Sequence, residues 1–170
     1  MDGHHKEKRA RKKTFQKDAA EPKEVNEIVI MLRICIIDGQ GGGIGAAIIK
    51  RLKSAFGESV EIIALGTNAI AAAQMLKAGA NRAASGENAI VQTVRVVDVI
   101  IGAVSIGWAN AMLGEITPKM AEAVMSSPAP KIFLPLAQEP VVLVGVSAEP
   151  LPHLIQQIVT NKLREVLPDV

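Results

Sequence analysis

The chain has 170 residues, of which 49% are hydrophobic and 2% aromatic, and its formal net charge is +2 at pH 7. It is long and apolar enough for one domain with a sizeable core. Aromatic side chains are scarce, and residues 25–170 carry eleven basic and twelve acidic side chains. This balance excludes a basic, stacking surface for nucleic acid in the folded part. With a single cysteine, Cys35, no disulfide framework exists, and a buried thiol in a reducing cytoplasm is expected.

The amino-terminal segment differs in composition from the rest. Residues 1–24 carry eight basic and five acidic side chains and almost no apolar ones. This composition predicts a disordered basic tail over residues 1–30, without the apolar segment of a secretory signal, and a weak polyanion-binding arm is the alternative. Met31 stands directly before the first predicted strand, so residues 1–30 could also be a non-native extension. Residues 31–170 are expected to form a single Rossmann-like, nucleotide-binding domain.

A glycine-rich turn follows the first predicted strand. Residues 33–47 read RICIIDGQGGGIGAA, which begins with the apolar run of a parallel strand covered on both faces and ended by Asp38. Five glycines in seven residues let the backbone approach a ligand closely. The helix that follows directs its free N–H groups and positive dipole end at the turn. The pattern predicts a nucleotide or phosphate site, and a purely structural tight turn is the alternative.

The glycine spacing narrows the class of ligand. Gly41, Gly43 and Ala46 satisfy the dinucleotide-binding pattern G-x-G-x-x-A, and no Gly-Lys-Ser/Thr follows, which argues against a phosphoryl-transfer P-loop. Asp38 would repel a pyrophosphate unless its carboxylate turns away to cap backbone amides or meets a cation. NAD(P) or another nucleotide is the predicted ligand. The residues assigned to binding it are Gly39, Gln40, Gly41, Gly42, Gly43, Ile44, Gly45, Gly66, Thr67 and Asn68.

The second predicted strand, residues 60–65, ends in small polar residues. In a dinucleotide fold, an acid about 20 residues past the glycine turn binds the ribose 2′-OH, and none stands here. Thr67 and Asn68 are expected to cap the next helix, residues 68–78, or to face a ribose or its phosphate. Without an acid or a nearby Arg, no sharp preference between NAD and NADP is expected.

The rest of the chain also alternates strands and helices. The predicted elements are strands at 80–84, 96–104, 131–136 and 141–146, and helices opened by 85–88 and spanning 117–126 and 151–166. Only four residues separate the last two strands, too few for a parallel crossover, so an antiparallel hairpin is predicted. The fold class is α/β: a Rossmann-like three-layer αβα arrangement with a mainly parallel sheet and a C-terminal antiparallel hairpin strand.

Four stretches carry a resemblance to a known family. They are IDGQGGGIG (37–45), ALGTNA (64–69), GENAIV (86–91) and GEITPKMAEA (114–123). Together they resemble a bacterial family of Rossmann-like proteins catalogued as a domain of unknown function, over about residues 31–155. The resemblance implies the fold and no established reaction. The glycine turn is also similar to that of short-chain dehydrogenases/reductases. Those enzymes usually have Thr at the position of Asp38, and they use a catalytic Tyr, whereas this chain contains no Tyr.

No catalytic residue is assigned from the sequence. His153 is expected to be exposed in the first turn of the last helix, and Glu115 and Lys119 to form a solvated pair at a helix entry. The three histidines and one cysteine have no metal-ligand spacing. The apolar stretch between Asp98 and Glu115 is too short and too interrupted to cross a membrane.

Three functions remain open. The first is a nucleotide-binding module that acts as a sensor or regulator. The second is an oxidoreductase-like enzyme that acts on a small metabolite through the loops near Glu87, Asn110, Glu115 and Lys119. The third and weaker one is a structural subunit without a ligand. Besides a small-molecule nucleotide, a second copy of the chain is a possible partner, in a homo-oligomer. Trp108 is expected to be covered by a ligand, by a second subunit or by the core.

Overall fold

The computed structural model of the protein describes residues 31–168. Five strands form one sheet in the order β3-β2-β1-β4-β5, and every pairing is parallel. The strands are β1 Leu32–Asp38, β2 Val60–Gly66, β3 Arg82–Ser85, β4 Val99–Ala103 and β5 Lys131–Leu134. The predicted α/β class with a mainly parallel sheet is confirmed. The tail predicted over residues 1–30 lies outside the described residues.

Helices cover both faces of this sheet. They are α1 Gly43–Phe56, α2 Ala69–Lys77, α3 Glu87–Thr93, α4 Pro118–Ser126, α5 Leu151–Gln157 and α6 Leu163–Val166. A π-helical turn, Ile158–Lys162, joins α5 to α6, so the predicted closing helix is one helical run with a bulge. None of the helices in the described chain is long and apolar enough to cross a membrane.

Alternate residues of β1 contribute to two cores. Ile34 and Ile36 pack with α1, α2 and α5 on one face, whereas Cys35 and Ile37 pack with α3 and α4 on the other. All four are buried, because a parallel strand between two helical layers has no solvent face. Burial raises the pKa of the Cys35 thiol, which is therefore a packing group, as predicted.

Side-chain caps set the starts of two helices, and capping is one of the two roles predicted for Asn68. The Asn68 side chain accepts a hydrogen bond from the Ala71 backbone N–H at 2.9 Å, and α2 begins there. The Thr117 hydroxyl accepts one from the Met120 N–H at 3.1 Å at the start of α4. These caps satisfy N–H groups that have no partner within their own helix.

The predicted antiparallel hairpin is wrong. β5 pairs with β4 alone and runs parallel to it, and residues 141–146 form no strand in the structure described. The reason lies in the connection after β5. The Glu139 carboxylate accepts hydrogen bonds from the backbone N–H groups of Met112 at 2.8 Å and Gln138 at 3.1 Å. These bonds hold the connection over the carboxyl end of the sheet, so the chain leaves the sheet instead of turning back along β5.

Candidate functional site

The strand order creates a crevice between the carboxyl ends of β1 and β4. The chain proceeds from β1 to β2 and β3 on one side, and β4 and β5 lie on the other. This is the topological switch point, where open parallel sheets bind ligands. A cavity of about 210 Å³ opens there. Its walls are Asp38, Gly39, Gln40, Ile44, Ala103, Ser105, Met112, Leu136, Ala137 and Gln138.

The glycine turn between β1 and α1 forms one wall of this crevice. Gly42 has a φ of 69°, and a Cβ there would lie 2.7 Å from the Ala71 carbonyl oxygen, so the position requires glycine. Gly41 and Gly43 are exposed, and a Cβ on either would meet no atom of the described residues within 4 Å. Their backbone N–H groups have no hydrogen-bond partner among residues 31–168. Both groups are therefore open to an anion near the N-terminus of α1.

The carboxylate of Asp38 lies beneath the turn and is buried. It accepts hydrogen bonds from the backbone N–H of Gly39 at 2.8 Å and from that of Gly45 at 2.7 Å. Burial raises the pKa of Asp38 above its usual 3.8; hydrogen bonds from Gly45, Gly39 and Ile44 oppose this rise, and the charge of Glu115 adds to it. Of the two arrangements considered for Asp38, the structure has the one in which the carboxylate caps backbone amides.

Glu115 comes from the loop before α4 yet lies beside the end of β2. Its Oε2 atom accepts hydrogen bonds from the Gln40 backbone N–H at 2.8 Å, the Asn68 side-chain amide at 3.0 Å and the Thr67 hydroxyl. Oε1 accepts no hydrogen bond from the residues described. Desolvation acts to raise the pKa of Glu115, but the three hydrogen bonds hold it below its usual 4.5. An ionised carboxylate with a free oxygen therefore stands where the sequence predicted no acid.

Gly39 allows Glu115 to come this close. A Cβ on Gly39 would lie 2.8 Å from the Thr67 hydroxyl oxygen and 2.9 Å from Glu115 Oε2, both shorter than real carbon contacts allow. The Asn68 amide also donates to the Gln40 carbonyl oxygen at 3.0 Å. The turn, the end of β2 and the Glu115 loop are thus held together as one polar unit.

A pair of amide side chains closes the other side of the crevice. Gln40 and Gln138 exchange hydrogen bonds of 3.1 and 3.0 Å, which tie the glycine turn to the connection after β5. Sequence reasoning missed Gln138 and Glu139 as site residues because it assigned them to a hairpin turn. Their place after the carboxyl end of a strand was the signal that could have identified them.

All ten predicted binding residues lie around the ends of β1 and β2, where Asp38 pairs with Gly66 in the sheet. The loop residues that the enzyme alternative would use do not gather in the same way. Lys119 lies 3.5 Å from Glu87 Oε1, so it pairs with Glu87 and not with Glu115. Asn110 is exposed in a turn with a φ of 67°, and His153 is exposed in the first turn of α5, as predicted.

Comparison with known proteins assigns the family. Residues 33–167 match the family model described as Domain of unknown function (DUF3842), and the chain belongs to this family. No curated protein matches the chain. Membership agrees with the predicted resemblance to a family of unknown function, and it assigns neither a reaction nor a ligand.

Proposed function

We propose that this member of the family is a nucleotide-binding module that takes an adenine dinucleotide at the glycine turn and prefers NAD to NADP. The observation that carries the proposal is the position of Glu115. Its carboxylate lies at the end of β2 against the glycine turn, with Oε1 free of hydrogen bonds from the described chain. That is where a dinucleotide fold binds the adenosine ribose.

The donors for a pyrophosphate are the backbone N–H groups of Gly41 and Gly43. Both residues are exposed and have open space above them, and Gly43 is the first residue of α1. Phosphate oxygens placed there accept hydrogen bonds from these N–H groups and lie at the positive end of the helix dipole. Asp38 already takes the Gly45 N–H at 2.7 Å and repels an anion, so we expect affinity in the micromolar range or weaker.

Glu115 supplies the selectivity in this proposal. A free carboxylate oxygen accepts hydrogen bonds from ribose hydroxyls and repels a 2′-phosphate, so NAD is preferred to NADP. Oε2 is already committed to Gln40, Thr67 and Asn68, which fixes the orientation of the carboxylate before the ligand arrives. This pre-organisation reduces the ordering that binding requires.

The crevice limits how the ligand fits. Its volume of about 210 Å³ is below that of most sites for whole ligands, so it accommodates one small ring while the rest of the dinucleotide lies along the open strand ends. The enzyme alternative lacks a comparable observation, because Glu87 and Lys119 pair with each other and neither is among the residues that line this crevice.

The test is calorimetric titration of the full chain with NAD, NADP, AMP and adenosine. Binding of NAD with clearly weaker binding of NADP supports the proposal. AMP should bind more weakly than NAD, because it lacks the second phosphate and the second nucleoside. If none of the four compounds gives a binding signal at millimolar concentration, the proposal is wrong and the glycine turn is structural.

A further inference from the structure

Residues 141–146 form an apolar segment, here called the VVLVGV segment, that is largely exposed. Val142 is 88% exposed and Val144 is 97% exposed. Val141, Leu143 and Val146 are each more than a third exposed. Such a run of aliphatic side chains in water is unusual for a monomer and marks a contact surface.

The backbone of this segment also lacks partners. Apart from a bond between the Val141 N–H and the Glu139 carbonyl oxygen, no backbone hydrogen bond in residues 31–168 involves the segment. Val and Leu favour extended backbone, and unpaired backbone groups in such a stretch pair readily with another strand. Val144 and Gly145 form a turn, with Gly145 at a φ of 83°, so the stretch suited to pairing is residues 141–143. The segment therefore offers apolar side chains and a mostly unpaired backbone.

Two cavities border the segment. A groove of about 530 Å³ lies between its carboxyl end, the outer side of β5 and the helical run α5–α6. A second cavity of about 280 Å³ is lined by Trp108 together with Val141, Val142 and Leu143. β5 is an edge strand, since no other described strand pairs with its outer side. Among the residues described, the sheet therefore ends next to the segment with no further strand.

We infer that a second copy of this chain covers the VVLVGV segment, which pairs with the same segment of its partner across a two-fold axis. Such an interface requires a patch that is complementary to itself. Residues 140–148 read PVVLVGVSA and contain no charge, so two copies meet without like-charge repulsion. Antiparallel pairing of two identical segments satisfies backbone groups on both copies.

The exposed area agrees with this occupant. The five aliphatic residues leave on the order of 500 Å² in water, so covering them on both copies buries on the order of 1,000 Å², the least that a specific interface needs. The walls of the two bordering cavities add to this area. A second copy is a sufficient partner, and the contact closes on itself as a dimer instead of extending into a fibre.

The test is sedimentation velocity of the full chain from low micromolar to hundreds of micromolar. We expect a reversible monomer–dimer equilibrium. The double variant Val142→Lys/Val144→Lys should weaken the dimer at least tenfold, because it places positive charges of the two copies against each other across the two-fold axis. Both side chains are nearly fully exposed, so its circular dichroism and Tm should match the wild type. Emission of Trp108, the only tryptophan, should change on dilution of the wild type and not of the double variant.

Val96→Lys is the matched control, since Val96 is 54% exposed and lies beside β3 at the other edge of the sheet. It should dimerise like the wild type. A wild type that stays monomeric at the highest concentration would overturn the inference, and the cover would then be residues 1–30 or another protein. A folded double variant that dimerises as tightly as the wild type, or a Val96→Lys variant that dissociates equally, would also overturn it.

Discussion

The Asp38 Oδ2 atom lies 2.7 Å from the backbone nitrogen of Gly45, the third residue of α1. The N-cap of α1 is Gly42, which has no side chain to cap the helix. A carboxylate from the end of β1 therefore performs this role from below the turn. Under the proposed function, the same carboxylate would repel a phosphate at the turn, so helix capping and anion binding would compete for one helix terminus.

Asp38→Asn separates these two effects. Each Asp38 oxygen accepts an N–H, from Gly39 or from Gly45, and an amide replaces one acceptor with a donor. We expect urea unfolding to show a loss of about 1–3 kcal/mol, the usual cost of an unsatisfied buried donor. With the negative charge removed, NAD affinity measured by calorimetry should rise.

The control for this variant is Asp98→Asn, which removes a charge that pairs with Arg33 instead of the glycine turn. It should leave NAD affinity unchanged. Weaker NAD binding by folded Asp38→Asn would show that the carboxylate supports the ligand instead of opposing it.

Val substitutions at Gly43 and Gly45 should act differently. A Cβ at Gly43 meets open space, whereas one at Gly45 would collide with the Met75 sulfur and lie 3.0 Å from Asp38 Cβ. Gly43→Val should keep a Tm near that of the wild type but lose most NAD affinity, because it covers the exposed N–H groups. Gly45→Val should lose about 1–3 kcal/mol of stability through overpacking. If Gly43→Val binds NAD as the wild type does, the phosphates do not lie on this turn.

The order of the strands and helices could be predicted from the sequence, because the signals that start and end each element lie within a few residues of it. The run from Ile34 to Ile37 indicated a strand buried on both faces, and it is buried on both faces. Thr117 and Asn68 marked helix starts through caps within three residues. Gly57, with a φ of 55°, is the C-cap that ends α1.

The rest depended on contacts between distant residues. Glu115 meets Thr67, 48 residues earlier, and no local pattern encodes that approach. The strand propensity of residues 141–146 was real, but pairing depends on the direction in which the chain leaves β5. That direction is set by Glu139 and Met112, 27 residues apart.

The contributions of Asp38 and Glu115 to folding stability should change with pH in opposite directions. Burial raises the pKa of Asp38 in the folded state, so the stability it contributes is present below 3.8 and is lost as the pH rises through the folded pKa. Despite desolvation, hydrogen bonds lower the pKa of Glu115, so its contribution is present above 4.5 and is lost as the pH falls through the folded pKa.

Urea unfolding across the acidic range checks these signs. The stability of the wild type relative to Asp38→Asn should fall as the pH rises above 3.8. Relative to Glu115→Gln, it should rise as the pH approaches 4.5 from below. Slopes of the same sign for both variants would contradict this account of the two carboxyl groups.

Glu115→Gln tests the central claim most directly. The amide keeps one oxygen for Gln40, Thr67 and Asn68 but turns the free acceptor into a donor. NAD affinity should fall about 10- to 100-fold, as for a lost hydrogen bond to a charged group, while NADP affinity should hold or rise because the repulsion of the 2′-phosphate is gone. Glu122→Gln, at an exposed position on α4, should change neither. The measurement is calorimetric titration of the wild type and both variants with NAD and NADP. The predicted result is a lower ratio of NAD affinity to NADP affinity in Glu115→Gln alone. An unchanged ratio in a folded Glu115→Gln variant would contradict the account.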